Sequence, residues 1–241
     1  DGDLDIYVSV SGPEWSTPQE RANLLFLNDG DGTFTEAAAT YGIADPGFTT
    51  HSVFLDYDRD GDLDLFTLGN SPGEFGRGET GGPQFGASGV NPAGFDQLYR
   101  NEGNGRFSNV SEAAGILRQL GYGLGVVATD LNRDGWTDLY VSNDIGPPDV
   151  LYVNNRDGTF TDRAAEWLGH TSFAGMGRVQ QHLMGTCRIC GEFFRPDKRH
   201  FESAFFFCHI NDLRIIAADT DVFIVSKFCV VYIRIVLVHL C

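Results

Sequence analysis

The first 177 residues predict an all-β fold, a partial β-propeller of about two and a half four-stranded blades. Three recurring features support this prediction: an aspartate-rich segment, a glycine-rich turn that ends in Phe, and a short alanine-rich piece. They follow one another in the same order each time, at variable spacing. Short strands joined by glycine and aspartate turns in a repeating unit are typical of propeller blades.

The aspartate-rich segment occurs in two full copies and one partial copy. Residues 56–64 read DYDRDGDLD, residues 130–138 read DLNRDGWTD, and the chain begins with DGDLD, the last five positions of the same pattern. The glycine-rich turn follows as NDGDGTF at 28–34, NEGNGRF at 101–107 and NNRDGTF at 154–160. This is a true internal repeat.

One complete unit shows the four predicted strands. Short runs rich in β-branched or aromatic residues occupy 52–57, 63–68, 97–100 and 106–110. Each run is bounded by turn residues, as expected for short antiparallel strands. The turn between the last two contains glycines that can adopt the positive φ of a tight hairpin. The alanine-rich piece that follows is too short to be a stable helix alone, so we expect a one-turn connector between blades.

Two Gly/Pro-rich segments, 71–95 and 11–21, interrupt the units between the second and third strands and predict surface loops. They carry the aromatic residues Trp15, Phe75, Phe85 and Phe95. These rings have two possible roles: stacking on sugars, or packing of a long loop onto its own blade.

Composition changes near Gly177. Residues 1–177 contain 9 Arg, no Lys and 27 acidic residues, whereas 178–241 contain 8 basic and 6 acidic residues and all five cysteines. We therefore expect a domain boundary, with 1–177 forming the incomplete propeller and 178–241 an unrelated tail. The abrupt change favours a tail read from a different frame or joined as a chimera. The incomplete ring should leave open strand edges.

The tail contains two further features. Cys187 and Cys190 have the spacing of metal ligands, and His200, Cys208 and His209 could complete a zinc site, although inert cysteines are the simpler interpretation. Residues 222–240 are strongly apolar but include Lys227 and Arg234, which makes a membrane helix marginal, and their β-branched content favours strands.

The aspartate-rich segments predict calcium sites. Oxygen ligands at positions 1, 3, 5 and 9 and a main-chain carbonyl at position 7 suit a hard cation. The flanking strands and the lack of a Glu at position 12 exclude an EF-hand. An acidic turn that binds nothing is the alternative. The predicted ligands are Asp56, Asp58, Asp60, Asp62 and Asp64; Asp130, Asn132, Asp134, Trp136 and Asp138; and Asp1, Asp3 and Asp5, with Asp62 and Trp136 acting through their carbonyls.

These motifs resemble FG-GAP/VCBS-type repeats. More narrowly, YGLGVVATD at 122–130, WTDLYVSND at 136–144 and HTSFAGMG at 170–177 are similar to the group of cartilage acidic protein and its bacterial secreted relatives. The resemblance covers residues 1–177. It implies a seven-bladed type of propeller, calcium in the blade loops, an extracellular or periplasmic location, and no catalytic centre in the repeats. Relatives serve in adhesion, matrix or carbohydrate contact, and such repeats also accompany secreted enzymes.

We therefore expect a calcium-binding extracellular module that binds a protein or glycan ligand through its loops. The alternative is a scaffold or accessory part of a secreted enzyme, with catalysis outside this chain. Residues 1–177 contain no Gly-x-Ser-x-Gly motif, and we expect structural roles for their two histidines, His51 and His170. A formal net charge of −16 argues against nucleic-acid and anionic-membrane partners. No basic stretch precedes an apolar run at the start, so no signal peptide is expected within these residues.

Overall fold

The structure is a computed structural model that describes residues 2–13, 15–70, 76–77, 83–84, 92–116, 121–144 and 147–171, together with backbone strands at 216–218, 221–226 and 229–238. The described chain is almost entirely β, arranged in antiparallel sheets with short connectors. The predicted all-β, partial-propeller fold is confirmed.

The middle blade follows the predicted four-stranded pattern. It contains β4 (Thr49–Leu55), β5 (Asp64–Gly69), β8 (Gln97–Asn101) and β9 (Phe107–Asn109), paired in that order. Between β5 and β8, the long insertion contains the short pair β6 (Gly76–Arg77) and β7 (Pro83–Gln84) and a single 3₁₀ turn at Pro92–Gly94.

The third blade repeats this order with β10 (Gly123–Thr129), β11 (Asp138–Asn143), β12 (Val150–Asn154) and β13 (Phe160–Asp162). The first strands of these two blades each carry a register irregularity near their start, at Thr49/His51 and at Gly123/Gly125. The two blades are therefore copies of one design.

The first blade contains β1 (Asp5–Val10), β2 (Leu24–Asn28) and β3 (Phe34–Glu36), which correspond to the second, third and fourth strands of the other blades. A short helix, α1 (Pro18–Arg21), lies in the insertion between β1 and β2.

Tail strands lie on the free edge of β1. Strand β16 (Cys229–Val238) pairs antiparallel with β1, from Asp5 opposite Val238 to Val10 opposite Ile233, and continues into β15 (Asp221–Ser226) and β14 (Ile216–Ala218). The edge of β1 is therefore covered by a strand of the tail. The strands also agree with the β-branched content of this segment. The tail's proposed zinc ligands, Cys187, Cys190, His200, Cys208 and His209, lie outside the described residues.

The blades pack face to face through apolar side chains. All six residues of β5 and of β11 are buried, because each central strand is covered on both faces. Phe66 and Tyr152 meet with ring centroids 6.2 Å apart between the second and third blades. Tyr7, Leu25 and Leu65 belong to the corresponding cluster between the first and second blades. Burial of this kind is the main stabilising contribution to the fold.

The alanine-rich connectors form single helical turns, as predicted. They are α2 (Ala38–Tyr41) and α3 (Ala164–Trp167), and residues 111–115 form turns at the same place in the middle blade. Gly42 and Gly115 end two of the connectors with φ of 81° and 76°. A Cβ at these positions would lie 3.0 Å from Phe107 O and 2.8 Å from Phe160 O, so the connector approaches the next blade closely enough to require glycine.

A polar residue in each blade bridges the insertion between the second and third strands. Asn23, Asp96 and Asp149 each precede a third strand, and their Oδ1 atoms accept a main-chain N–H from the last residue of the second strand, at 2.7, 2.9 and 2.8 Å respectively. The insertions can therefore differ in length without disturbing the sheet. No helix among the described residues is long and apolar enough to cross a membrane.

We predict that Asp96→Asn stabilises the protein relative to the unsubstituted chain, and that this gain is larger at pH 8 than at pH 5. Burial raises the pKa of Asp96 to about 7. The folded state thus binds a proton that the unfolded state releases near pH 4, and stability falls as the pH rises from about 4 to 7. Asparagine, which occupies the equivalent position in the first blade, does not titrate and therefore removes this loss of stability. We expect a gain of about 1 kcal/mol or more at pH 8, roughly 2–4 °C.

Thermal unfolding between pH 5 and 8 measures the effect. Asp157→Asn, at an exposed turn carboxylate, is the control. An unchanged pH slope in Asp96→Asn would contradict the prediction.

Candidate metal centre

Each aspartate-rich segment joins the first strand of a blade to the second. Residues 56–64 link β4 to β5, and residues 130–138 link β10 to β11. Asp3 and Asp5 lead directly into β1, whereas Asp1 lies outside the described residues. The predicted ligand segments therefore lie at one end of the blades, and the insertions leave from the opposite end.

The two complete loops share one tight turn. Arg59 and Arg133 at position 4 have φ of 62° and 63°, and the glycine at position 6 is also left-handed. The carboxylate at position 5 then accepts the main-chain N–H at position 7, with Asp60 Oδ1 2.9 Å from Asp62 N and Asp134 Oδ1 2.8 Å from Trp136 N. The turn folds each segment back on itself and brings its first and last residues together.

Three of the predicted ligands converge in the middle blade. Asp56, Asp58 and Asp64 place carboxylate oxygens within 4.8 Å of one another. The Oδ1 atom of Asp56 is buried and has no hydrogen-bond partner among the described residues. Three negative charges at this separation repel one another, and a buried acceptor without a donor is costly. A bound cation would therefore stabilise this arrangement.

The pKa values of two carboxyl groups in this site are raised. Burial raises the pKa of Asp64 to about 7, against the lowering effect of main-chain N–H groups. Burial, and then the neighbouring charge of Asp60, raise the pKa of Asp58. A divalent cation would stabilise the ionised carboxylates of both residues. The oxygen-only donor set fits a hard cation such as Ca²⁺.

The remaining predicted ligands of this loop lie nearby but outside the convergent group. Asp60 Oδ1 accepts the N–H of Asp62, and the Asp60 N–H donates to Asp58 Oδ1 at 3.4 Å. The side chain of Asp62 faces the adjacent turn, since its Oδ2 lies 3.0 Å from where a Cβ would stand on Gly103. That Asp62 acts through its carbonyl stays a prediction.

The loop at 130–138 satisfies its acidic groups differently. Asp130 accepts the N–H groups of Asp134 and Gly135 at 3.0 and 2.8 Å. Asp134 Oδ2 accepts from Asn132 Nδ2 at 2.9 Å and pairs with Arg156 Nη2, also at 2.9 Å. Among the described residues, the group of three converging carboxylates does not recur in this loop. The loop therefore carries less unbalanced negative charge than its counterpart.

The last aspartate of each loop also has a structural role that the sequence analysis missed. Asp5, Asp64 and Asp138 are buried, and each accepts the main-chain N–H of an asparagine that begins the glycine-rich turn. These asparagines are Asn28, Asn101 and Asn154. Their Nδ2 atoms donate back to the carbonyl preceding the aspartate. We call this reciprocal contact the Asp–Asn clasp; its sequence signal is an Asn at the end of every third strand.

The glycine-rich turns share the turn geometry but have a different charge balance. Asp31 and Asp157 accept the N–H two residues ahead, as Asp60 and Asp134 do. In the first turn, Thr33 donates its hydroxyl to Asp31 Oδ1 at 2.6 Å, and Thr35 donates its hydroxyl to Asp29 at 3.2 Å. Hydroxyl protons thus satisfy carboxylates of this turn.

The two histidines and the aromatic residues of the insertions differ in their burial and contacts. His51 Nδ1 accepts the N–H of Val126 at 3.0 Å and links two blades, which supports the expected structural role, and His170 is exposed. Trp15 is 85 % exposed and Phe95 is half-buried, whereas Phe75 and Phe85 lie outside the described residues.

A sequence profile of the FG-GAP-like repeat family matches residues 1–67, 85–141 and 130–179. The chain is also similar to two curated proteins. It shares 36 % identity over 77 residues with cartilage acidic protein 1 of Mus musculus, covering 30 % of this chain and 12 % of that protein. It shares 26 % identity over 203 residues with cartilage acidic protein 1 of Homo sapiens, covering 68 % and 31 %. The chain thus spans less than a third of the length of these relatives.

A solved structure that describes recognition of non-reducing terminal N-acetylglucosamine by an Agrocybe aegerita lectin also resembles part of the chain. The identity is 15 %, covering 74 % of this chain and 52 % of that one, with a TM-score of 0.33. A likeness this weak carries no argument about ligand or fold.

We predict that Asn154→Ala destabilises the protein by about 2–4 kcal/mol, because it removes donors from two carbonyls that lie away from water. Asn154 is buried, and its Nδ2 donates to Tyr57 O at 2.8 Å and Thr137 O at 3.2 Å. The loss should be similar in calcium and in chelator, since the amide contacts only protein groups. Urea unfolding measures it.

Asn155→Ala is the matched control. Asn155 is exposed and donates to hydroxyls of its own turn, so we expect a change of less than about 1 kcal/mol. Equal losses for the two variants would show that the clasp contributes nothing beyond an exposed turn.

Proposed function

Because this chain belongs to the FG-GAP-like repeat family, we propose that it is a calcium-stabilised, non-catalytic propeller module that acts outside the cell. In this proposal, calcium stabilises the loops at one end of the blades. The insertions at the other end bind a protein or glycan ligand. The alternative, an accessory part of a secreted enzyme, has no specific observation in its favour.

The convergence of Asp56, Asp58 and Asp64 is the observation that carries the proposal. The unpartnered, buried Oδ1 of Asp56 distinguishes this group from an ordinary acidic turn. In the first glycine-rich turn, by contrast, threonine hydroxyls donate to comparable carboxylates. Calcium is favoured over magnesium because a loop with several carboxylates and a carbonyl suits a larger coordination shell at longer distances.

An extracellular location follows from the same chemistry. Modules of this kind bind calcium with dissociation constants of about 10⁻⁴–10⁻³ M, and the millimolar calcium outside cells would occupy them. At roughly 2 mM calcium, each site adds about 0.6–1.8 kcal/mol of stability. The similarity to cartilage acidic protein 1 is consistent with such a setting.

Trp15 is the best ligand contact in the described insertions. It lies on a turn in which Ser16 N donates to Pro13 O at 2.9 Å, followed by α1 with its Thr17–Glu20 capping box. Arg21 is buried, packs over the Phe48 ring at 4.2 Å and bonds Pro46 O, so the turn is anchored to the blade. A large aromatic side chain held in solvent by a fixed turn is typical of an interaction site.

We predict that calcium raises the melting temperature of the full chain and that magnesium does so less. Asp58→Asn should remove the part of this shift that the 56–64 loop contributes, because it deletes one charge from the converging group. The expected shift is about 2–4 °C for each kcal/mol of binding. Thermal melts in calcium, magnesium and chelator measure it.

Asp29→Asn is the position-matched control, since Asp29 occupies the equivalent place in a turn closed by threonine hydroxyls. It should keep the calcium shift of the unsubstituted chain. Absence of any calcium-specific shift would refute the calcium part of the proposal.

We predict that Trp15→Ala leaves stability within about 0.5 kcal/mol but weakens ligand binding. An exposed side chain contributes little to the fold, whereas a buried contact at an interface typically costs more than 1 kcal/mol when truncated. A glycan array with both forms tests the carbohydrate version. Binding by neither form would leave only the protein-ligand version, and equal binding by both would exclude Trp15.

A further inference from the structure

The third residue of each asparagine-containing turn faces the aspartate loop of its own blade. In the first two blades this residue is glycine. A Cβ on Gly30 would lie 3.1 Å from Asp3 Oδ2, and one on Gly103 would lie 3.0 Å from Asp62 Oδ2. In both blades a carboxylate at loop position 7 therefore occupies the space beside the glycine.

The third blade exchanges both partners. Loop position 7 is Trp136 in place of an aspartate, and the facing residue is Arg156 in place of glycine. The guanidinium reaches the carboxylate at position 5, with Nη2 2.9 Å and Nε 3.1 Å from Asp134 Oδ2. A positive charge is thus present beside this loop, where the other blades have none at the equivalent residue.

The backbone at Arg156 is left-handed, a conformation that favours glycine. Its φ is 67°, close to the 76° and 67° of Gly30 and Gly103. A residue other than glycine in this conformation costs free energy, so the position suits glycine unless the side chain makes a stabilising contact. Its contact is with a carboxylate that is only 11 % exposed, where an ion pair is screened less than at the open surface.

We propose that Arg156 is a built-in counter-cation of the 130–138 loop and sets its calcium affinity below that of the 56–64 loop. This inference rests on the proposed calcium function. Calcium that binds Asp134 must compete with the guanidinium for the same Oδ2 atom. Without calcium, Arg156 and Asn132 keep the loop folded, so the two loops differ in how far they depend on the ion.

The loops also differ at position 3, where Asn132 replaces a carboxylate, so the test must isolate Arg156. We would titrate calcium into the full chain carrying Asp58→Asn, which leaves the 130–138 loop as the site under study, and compare it with the same chain carrying Arg156→Gln. Calorimetry gives the affinity. Thermal melts in chelator give the stability without calcium.

We expect Arg156→Gln to tighten calcium binding by about 3- to 10-fold and to lower the melting temperature in chelator. Arg163→Gln is the control: it makes the same charge change in an exposed ion pair with Glu166 that contacts no aspartate loop. It should leave the calcium affinity unchanged.

An unchanged or weakened affinity in Arg156→Gln overturns the inference, as does absence of calcium binding at 130–138 in both forms. The first result leaves the proposed function intact if the 56–64 loop still binds. Absence of calcium binding in the chain with both loops unaltered would refute the proposed function itself.

Discussion

The Asp–Asn clasp is the contact on which the blade design depends. In the middle blade, Asp64 accepts N–H groups from Tyr57, two residues after the first strand, and from Asn101 at the end of the third. A single buried carboxylate therefore fixes three strands at one end of the sheet. It does so at an electrostatic cost, because burial raises the pKa of Asp64 to about 7. The loop above it must tolerate that charge or neutralise it.

Turns that share one backbone geometry balance the charge of their carboxylates in three different ways. The glycine-rich turns supply hydroxyl protons, as Thr33 does for Asp31. The 130–138 loop receives a guanidinium from Arg156 of the facing glycine-rich turn. The 56–64 loop supplies neither to Asp56, and it is here that the carboxylates converge and a cation is proposed. The function of each turn therefore depends on the few side chains around it, while the backbone stays nearly constant.

The division of each blade into two ends separates stability from recognition. Clasps and acidic loops lie at one end, while Asn23, Asp96 and Asp149 close the base of the insertions at the other. Because these residues fix the strand ends, an insertion can present a side chain such as Trp15 without altering the sheet. Loops on a rigid scaffold are where binding residues concentrate.

The repeat alone determined the strands, the connectors and the acidic loops, because turn residues and short β-rich runs act locally and recur in one order. It did not reveal the clasp, whose partners Asp138 and Asn154 are sixteen positions apart. It also treated the two loops as equivalent, since both match one pattern. Only the tertiary structure showed Arg156 beside Asp134, and Asp56 without a donor. Charge balance depends on which side chains meet across strands, and a linear pattern does not contain that information.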